Sequence, residues 1–412
     1  MRYGLLFLFV SLLAFAQFDG KLTIEKKADE RIRIGIVDGS IPSETTRTLH
    51  KIFVADLKIS GQFRPQERYL PGTYTGNLID PALRGLDYVL VYKFLPGSSP
   101  YTLWVKLLNA ANGSMLSERR YRIASRQKYP FLVHKAVAEI ARTLRLPSID
   151  WINRYVVFAR YTGRKQSEIV LADYTFHFTK VIIRGGLNLF PHWGDSEQKS
   201  IYYTSYVEGR PTLFRLNIYT GERTQITSST GMLACSDVSS DGQRLILTMA
   251  PGGQSDIYEY DLKSHKAKQL TTYQGIDVNG VYADAGASLV FVSNRLGYPN
   301  VFKKTFATGA VQQIVFAGKN NNSVDAYGDT VVYSAREGQG VFNLYTAHTD
   351  ATPGRPLTSN GVNQFPRFSP DGQTILYIKR SYEGNAVGYL SLKTNQSLLF
   401  PLGERKIQSL DW

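Results

Sequence analysis

The sequence is poor in the residues that most often carry chemistry. Its 412 residues include one cysteine, Cys235, and six histidines. A single cysteine excludes a disulfide framework, an iron–sulfur cluster and a cysteine-based zinc site. No two histidines stand in an H-x-H or H-x-x-x-H pairing, so no histidine-rich metal site is expected. No G-x-S-x-G elbow occurs, which excludes the nucleophile turn of an α/β-hydrolase. His134, His177, His192, His265 and His348 read as surface or strand-end residues. Gly185-Gly186 and Gly252-Gly253 precede no helix and so cradle no phosphate. Asp173, Asp256 and Asp261 match no EF-hand loop and read as turn caps or strand hydrogen-bond partners. No catalytic residue, cofactor or metal is therefore expected. The net charge of +14 comes without any lysine/arginine run interleaved with aromatics, so no nucleic-acid partner is expected either.

What the chain does have is a leader, an α/β segment and a long repetitive β half. Arg2 is followed by the apolar run Leu5–Ala16, too short to span a bilayer, which takes ~20 apolar residues. Ala14-Phe15-Ala16 reads as a cleavage signal, so residues 1–16 read as a signal peptide and the mature chain as exported. Residues 17–31 read as a flexible N-terminal strand. Residues 32–148 read as an α/β domain with its own core. In it Arg33–Val37, Asp87–Leu95, Tyr101–Leu108 and Arg119–Ile123 are strands. One helix is capped by Ser40 or Ser43 and ended by Gly61, and a second starts at Pro130.

From Trp151 onward helical periodicity disappears and an internal repeat takes over. The segment Phe365–Arg380 (FPRFSPDGQTILYIKR) matches Cys235–Ala250, Asn279–Asn294 and, less closely, Asn322–Arg336 and Phe190–Tyr206. The apolar anchors Trp193, Val238, Tyr282, Val324 and Phe368 are 45, 44, 42 and 44 residues apart, and a further step of 44 lands on Trp412. After each anchor come an expected two-residue hairpin turn and three more strands, which is one propeller blade per period. The lead segment, 151–186, holds three strands and lacks an anchor. The tail, IQSLDW, is an anchor with nothing after it. Residues 151–412 thus read as an all-β six-bladed propeller closed by the C-terminal strand, which removes two open sheet edges.

With no chemistry in view, shape is the functional signal. The segments leading into the anchor strands gather at one end of the ring. They read Asn188-Leu189-Phe190, Met232-Leu233, Asp277-Val278-Asn279, Asn320-Asn321-Asn322 and Asn363-Gln364-Phe365. Amides with apolar tips suit a protein or peptide ligand. Arg160, Arg164, Arg210, Arg295, Arg336 and Arg380 lie in loops of the same end and favour an acidic partner. The terminal stretch Gln17-Phe18-Asp19-Gly20-Lys21-Leu22-Thr23-Ile24-Glu25 alternates at Leu22 and Ile24 and either adds to another protein's sheet edge or joins the chain's own sheet beside Arg33–Val37.

The combination of leader, α/β domain with VADLKISGQFRP (Val54–Pro65), the LADY stretch Leu171–Tyr174 and SPDG-like repeats resembles the TolB family of the Tol-Pal system over nearly the whole mature chain. The repeat prolines survive only at Pro191 and Pro366. The resemblance implies a non-enzymatic, monomeric periplasmic protein. It implies that the channel end binds the lipoprotein Pal and that the mature N-terminus binds TolA, in support of outer-membrane integrity and constriction. By position it adds Cys235 to Met232, Val278 and Asn279 as Pal-facing residues. The alternative is an exported propeller enzyme or glycan-binding module, for which Phe190, Phe365 and Trp193 are the stacking candidates.

Overall fold

The first helix forms where the sequence offers a cap at each end. In the computed structural model, which describes residues 31–77, 79–95, 100–381, 384–403 and 406–412, α1 spans Glu44–Ile59. The Ser43 side chain accepts the Thr46 amide at 3.2 Å and the Thr46 hydroxyl accepts the Ser43 amide at 3.0 Å, a reciprocal cap. Gly61 follows in the left-handed region at φ +68° and stops the helix. The second helix, α2 (Pro130–Thr143), starts on a proline, whose missing amide costs nothing in a first turn. The leader 1–16 and the expected strand 17–31, Arg31 apart, lie outside the described residues.

These helices cover one face of a sheet. Its strands are β1 (Ile32–Asp38), β2 (Phe63–Pro65), β3 (Leu70–Pro71), β4 (Tyr88–Leu95), β5 (Tyr101–Asn109) and β6 (Met115–Ile123), in the order β2-β1-β4-β5-β6 with β3 beside β1. Ile34, Ile36, Tyr92, Leu103 and Leu107 meet Leu49, Phe53, Val133 and Val137 there. The core expected to belong to this segment alone does not stop at its boundary. It continues through Trp151 and Tyr174 to Tyr389 and Trp412, and Ile32–Trp412 forms one compact unit.

The remaining strands make the sheets of a β-propeller. β7 (Tyr155–Gly163), β8 (Gln166–Asp173) and β9 (Thr179–Ile183) come first. β10 (Asn188–Trp193), β11 (Ser200–Val207), β12 (Arg210–Asn217) and β13 (Arg223–Ser228) form one antiparallel sheet. The next holds β14 (Leu233–Val238), β15 (Arg244–Met249), β16 (Asp256–Asp261) and β17 (Lys266–Gln269). β18 (Asp277–Ala283), β19 (Ser288–Ser293), β20 (Asn300–Thr305) and β21 (Val311–Gln313) follow. β22 (Lys319–Tyr327), β23 (Thr330–Glu337), β24 (Val341–His348) and β25 (Pro353–Pro356) share an eight-stranded sheet with β26 (Val362–Phe368), β27 (Thr374–Ser381), β28 (Gly384–Ser391) and β29 (Ser397–Gly403). The two halves are joined by the parallel bridge Phe342 to Val362. The last strand, β30 (Ile407–Asp411), runs antiparallel to β7 and pairs Leu410 with Phe158.

Two repeat details differ from the sequence reading. Five residues, 239–243, connect β14 to β15, where two were expected. The Ser239 hydroxyl bonds the Asp241 carboxylate and accepts the Arg244 amide at 2.9 Å, so a side-chain network shapes the turn. Ser369, Asp371 and Thr374 repeat it. A two-residue turn occurs at Gly328-Asp329, between Tyr327 and Thr330. This shorter hairpin displaces the repeat alignment. Ala326, opposite Val331, rather than Val324 takes the place that Trp193 holds opposite Ile201.

Candidate functional site

Antiparallel order puts the start of every inner strand at the same end as the loop joining the second and third strands. Around that mouth each inner strand carries a β-bulge, between Leu189 and His192, Cys235 and Asp237, Val278 and Val281, Asn322 and Asp325, Gln364 and Arg367, and Ile407 and Ser409. In four strands the bulge sets a non-glycine residue in the left-handed region, namely Phe190 (φ +53°), Asn279 (+55°), Ser323 (+51°) and Phe365 (+54°). Such a conformation costs a bulky residue about 1–3 kcal/mol and persists where neighbours hold it. Here the Phe190 amide donates to Gln408 Oε1 at 3.3 Å, the Asn279 amide to Thr248 Oγ1 at 3.1 Å, and Asn279 Nδ2 to the Val324 carbonyl at 3.0 Å.

The expected binding residues separate into two groups. Asn188, Leu189, Leu233, Cys235, Asp277, Asn321 and Asn363 are buried. The amides among them latch their own loops. Asn188 Nδ2 reaches the Gly185 carbonyl at 2.7 Å, Asn321 Nδ2 the Ala317 carbonyl at 2.9 Å, and Asn363 Nδ2 the Asn360 carbonyl at 2.7 Å. Asp277 does the equivalent through Arg295 at 3.1 Å. The amide-rich composition is therefore partly structural. Burial, then the charge of Asp237, pushes the Cys235 thiol far up, so it is inert packing. Phe190, Val278, Asn279, Asn322, Gln364 and Phe365 are half-buried and Met232 is exposed. Trp193 is buried beside Ile201 and Tyr203, out of reach of a sugar. Of the six arginines, Arg160 pairs with Glu168 at 2.9 Å, and Arg336 and Arg380 donate to the Gly338 and Ile407 carbonyls at 3.1 and 3.3 Å.

One residue before each anchor position, the inner strands carry a largely charged collar. Its members are His192, Asp237, Val281, Asp325, Arg367 and Asp411. The three aspartates alternate around it, and each accepts the anchor amide of the next inner strand. Tyr282 donates to Asp237 at 2.7 Å, Phe368 to Asp325 at 2.7 Å, and Trp193 to Asp411 at 2.8 Å. His192 Nδ1 stands 2.8 Å from Asp411, and Arg367 3.3 Å from Asp325. Burial pushes the Asp237 carboxyl up to about 6, against the pull of His192. Burial acts on Asp411 too, but His192 and Arg367 overcome it and hold that carboxyl below its usual range. Among the described residues no three His, Cys, Asp or Glu side chains are placed to hold a metal. The collar offers charge and hydrogen bonds, which suit binding and stiffness rather than bond-making.

Sequence reasoning missed a second cluster. His134, expected at the surface or a strand end, lies inside α2 and is fully buried where that helix meets the propeller. Its Nδ1 lies 2.8 Å from Asp56 of α1 and its Nε2 3.3 Å from Asp173 of β8. The Tyr174 hydroxyl donates to the other Asp56 oxygen, and Asp173 also accepts the Thr175 amide at 2.8 Å. Burial alone would lower the imidazole pKa. The charge of Asp56 and the bonds to both carboxylates outweigh it and hold the pKa at about 9. A signal was present in the sequence, since Asp56 interrupts the apolar stripe Leu49, Ile52, Phe53, Leu57 and His134 interrupts that of α2.

Comparison with known proteins places this geometry. A family model described as TolB beta propeller domain matches residues 153–412. The chain is 42% identical over 426 residues to the Tol-Pal system protein TolB of Wolinella succinogenes, with 99% of each chain covered. It is 40% identical over 410 residues to the protein of that name from Campylobacter jejuni, covering 97% of this chain and 98% of the other. A crystal structure of TolB from Acinetobacter baumannii shares the fold, with a TM-score of 0.77 at 22% identity over 92% of this chain and 96% of that one. Among the described residues no helix is long and apolar enough to cross a membrane.

Proposed function

We propose, because this chain belongs to the TolB family, that it is a non-enzymatic periplasmic component of the Tol-Pal system whose channel mouth binds the lipoprotein Pal. In this reading residues 1–16 are a cleaved leader and residues 32–148 an α/β domain. Residues 151–412 are six propeller blades, the eight-stranded sheet counting as two, and β30 completes the blade of β7. The supporting observation is the ring of bulges, which holds Phe190, Asn279 and Phe365 in strained, half-buried positions at one end of the channel. Recurrent strain of this kind is retained where a surface must be pre-shaped for a ligand. Val278, Asn322, Gln364 and Met232 fill the gaps between them. The segment Gln17–Glu25 binds TolA in this reading, and Pal docking and exposure of that segment influence each other reciprocally.

The test is calorimetric titration of the mature chain with the soluble domain of Pal. The intact chain binds, and Phe365→Arg and Asn279→Arg each abolish binding while circular dichroism shows both variants folded at the temperature of the titration. Failure of the intact chain to bind would sink the reading. TolA affinity measured with and without Pal tests the coupling, and equal values reject it.

A further inference from the structure

Exposed apolar side chains are unevenly spread over the propeller. On the side of the mouth formed by the β18–β21 sheet, five of them fall in three neighbouring loops. Tyr273 is 36% exposed, Ile276 51%, Leu296 57%, Tyr298 40% and Phe316 71%. The three loops are tied together. The Ile276 amide donates to Asn294 Oδ1 at 2.8 Å and the Asn294 amide to the Ile276 carbonyl at 3.2 Å. The Tyr273 hydroxyl donates to the Arg295 carbonyl at 3.2 Å, and the Asn321 amide to the Pro299 carbonyl at 2.9 Å. At the opposite end of the same sheet the connections 284–287 and 306–310 hold one large apolar residue, the half-buried Phe306, and Val311 beside them is the one exposed at 39%. The asymmetry is one of faces and does not reflect a generally greasy surface. Single exposed apolar residues need no explanation, whereas a contiguous group marks a docking surface.

Charge selects the occupant. Residues 271–276, 294–299 and 315–319 contain Arg295 and Lys319 and no acidic residue. The Lys319 ammonium stands 5.8 Å over the Tyr298 ring, and Arg295 lies 5.3 Å over Tyr273. The one adjoining carboxylate, Asp277, is buried and held by Arg295 at 3.1 Å, so the ledge presents aromatic and aliphatic side chains beside the exposed Lys319, which suits an apolar knob with an acidic rim. We infer that this ledge, outside the half-buried mouth residues, is the main contact for a folded protein partner. That partner presents an apolar projection bordered by carboxylates. The inference rests on the mouth being the Pal-binding end, and identifies which part of that end carries the affinity.

The experiment titrates the mature chain and its variants with the soluble domain of Pal. Ile276→Asp and Phe316→Asp place a like charge against the acidic rim and remove apolar contact. Each is expected to weaken binding at least tenfold, while Tyr219→Ser, at the far end and 65% exposed, changes nothing. All three sites are exposed, so melting temperatures stay at the wild-type value. If both ledge variants bind like the intact chain while Phe365→Arg abolishes binding, the ledge is overturned and the mouth reading stands. If the intact chain does not bind, both fall. If the intact chain instead binds vesicles of phosphatidylethanolamine and phosphatidylglycerol, and the ledge variants lose this, the surface faces a membrane and the inference is wrong.

Discussion

Replacing His134 with glutamine keeps a polar side chain at the centre of the buried cluster but removes the proton between Asp56 and Asp173. Both carboxylates are wholly buried, so the variant leaves them without the cation that bridges them. Removing one partner of a buried pair typically costs 3–5 kcal/mol. Linkage gives a second figure. An imidazole holding its proton to about 9 in the fold, against 6.5 in the unfolded chain, stabilises the fold by about 3 kcal/mol. Because the folded value is the higher one, this contribution is complete below pH 6.5 and is lost as the pH rises to about 9. Asp56 acts in the other direction, since burial raises its pKa and its charge costs stability at neutral pH. The variant His134→Gln/Asp56→Asn therefore recovers part of the loss. Urea unfolding at pH 6, 7.5 and 9.5 reads these differences. The expected pattern is a deficit of about 3 kcal/mol at pH 6 that shrinks by pH 9.5, with the double variant more stable than the single. A deficit below about 1 kcal/mol at pH 6, or one that does not change with pH, refutes the assignment of a buried imidazolium.

Two further outcomes follow from the propeller itself. A chain ending at Lys406 lacks β30, so it loses the Leu410 pairing with Phe158 and the Asp411 acceptor of the Trp193 amide. It is expected to aggregate or to melt at least 10 °C lower by circular dichroism, and an unchanged melting curve would contradict that. The Asp237 carboxyl should titrate near pH 6 by carbon-13 carboxyl NMR. Since its folded pKa lies above the unfolded value, the stability it contributes is present at low pH and declines as the pH rises to about 6. A midpoint near 4 would mean that the collar is open to water.

What was readable in the sequence was what local rules decide. The Ser43 cap, the Gly61 stop and Pro130 at a first turn each depend on neighbours a few residues away. The repeat was readable because every inner strand meets the same surroundings, so the same residue types recur. The hairpin at Tyr327 misled the alignment because the chain compensates a shorter turn with a shifted register, which spacing alone does not reveal. The asparagines of the mouth misled in another way. An amide that latches a loop and an amide that awaits a ligand have the same composition, and burial alone separates Asn321 and Asn363 from Asn322 and Gln364. His134 was not found because its partners lie 78 and 39 residues away along the chain. The trace it leaves, one polar residue in each of two apolar stripes, gains meaning only when the stripes are read against each other.

The last six residues connect the channel mouth to the α/β segment. Gln408 accepts the Phe190 amide at the mouth, and Asp411 accepts the Trp193 amide below it. Trp412 Nε1 donates to the Phe368 carbonyl at 2.6 Å, so the tail is bonded to the inner strands on both sides of it. The Trp412 ring lies 5.0 Å from Trp151 and 5.4 Å from Tyr389, and Tyr174 packs on both at 5.9 and 5.4 Å. Tyr174 in turn donates to Asp56, the carboxylate paired with His134. Phe190 at the mouth and the joint with α1 and α2 therefore meet on one six-residue segment. The same segment pairs with the edge of β7, so one short strand bonds the lead sheet, the inner strands on both sides and the buried cluster of the N-terminal half.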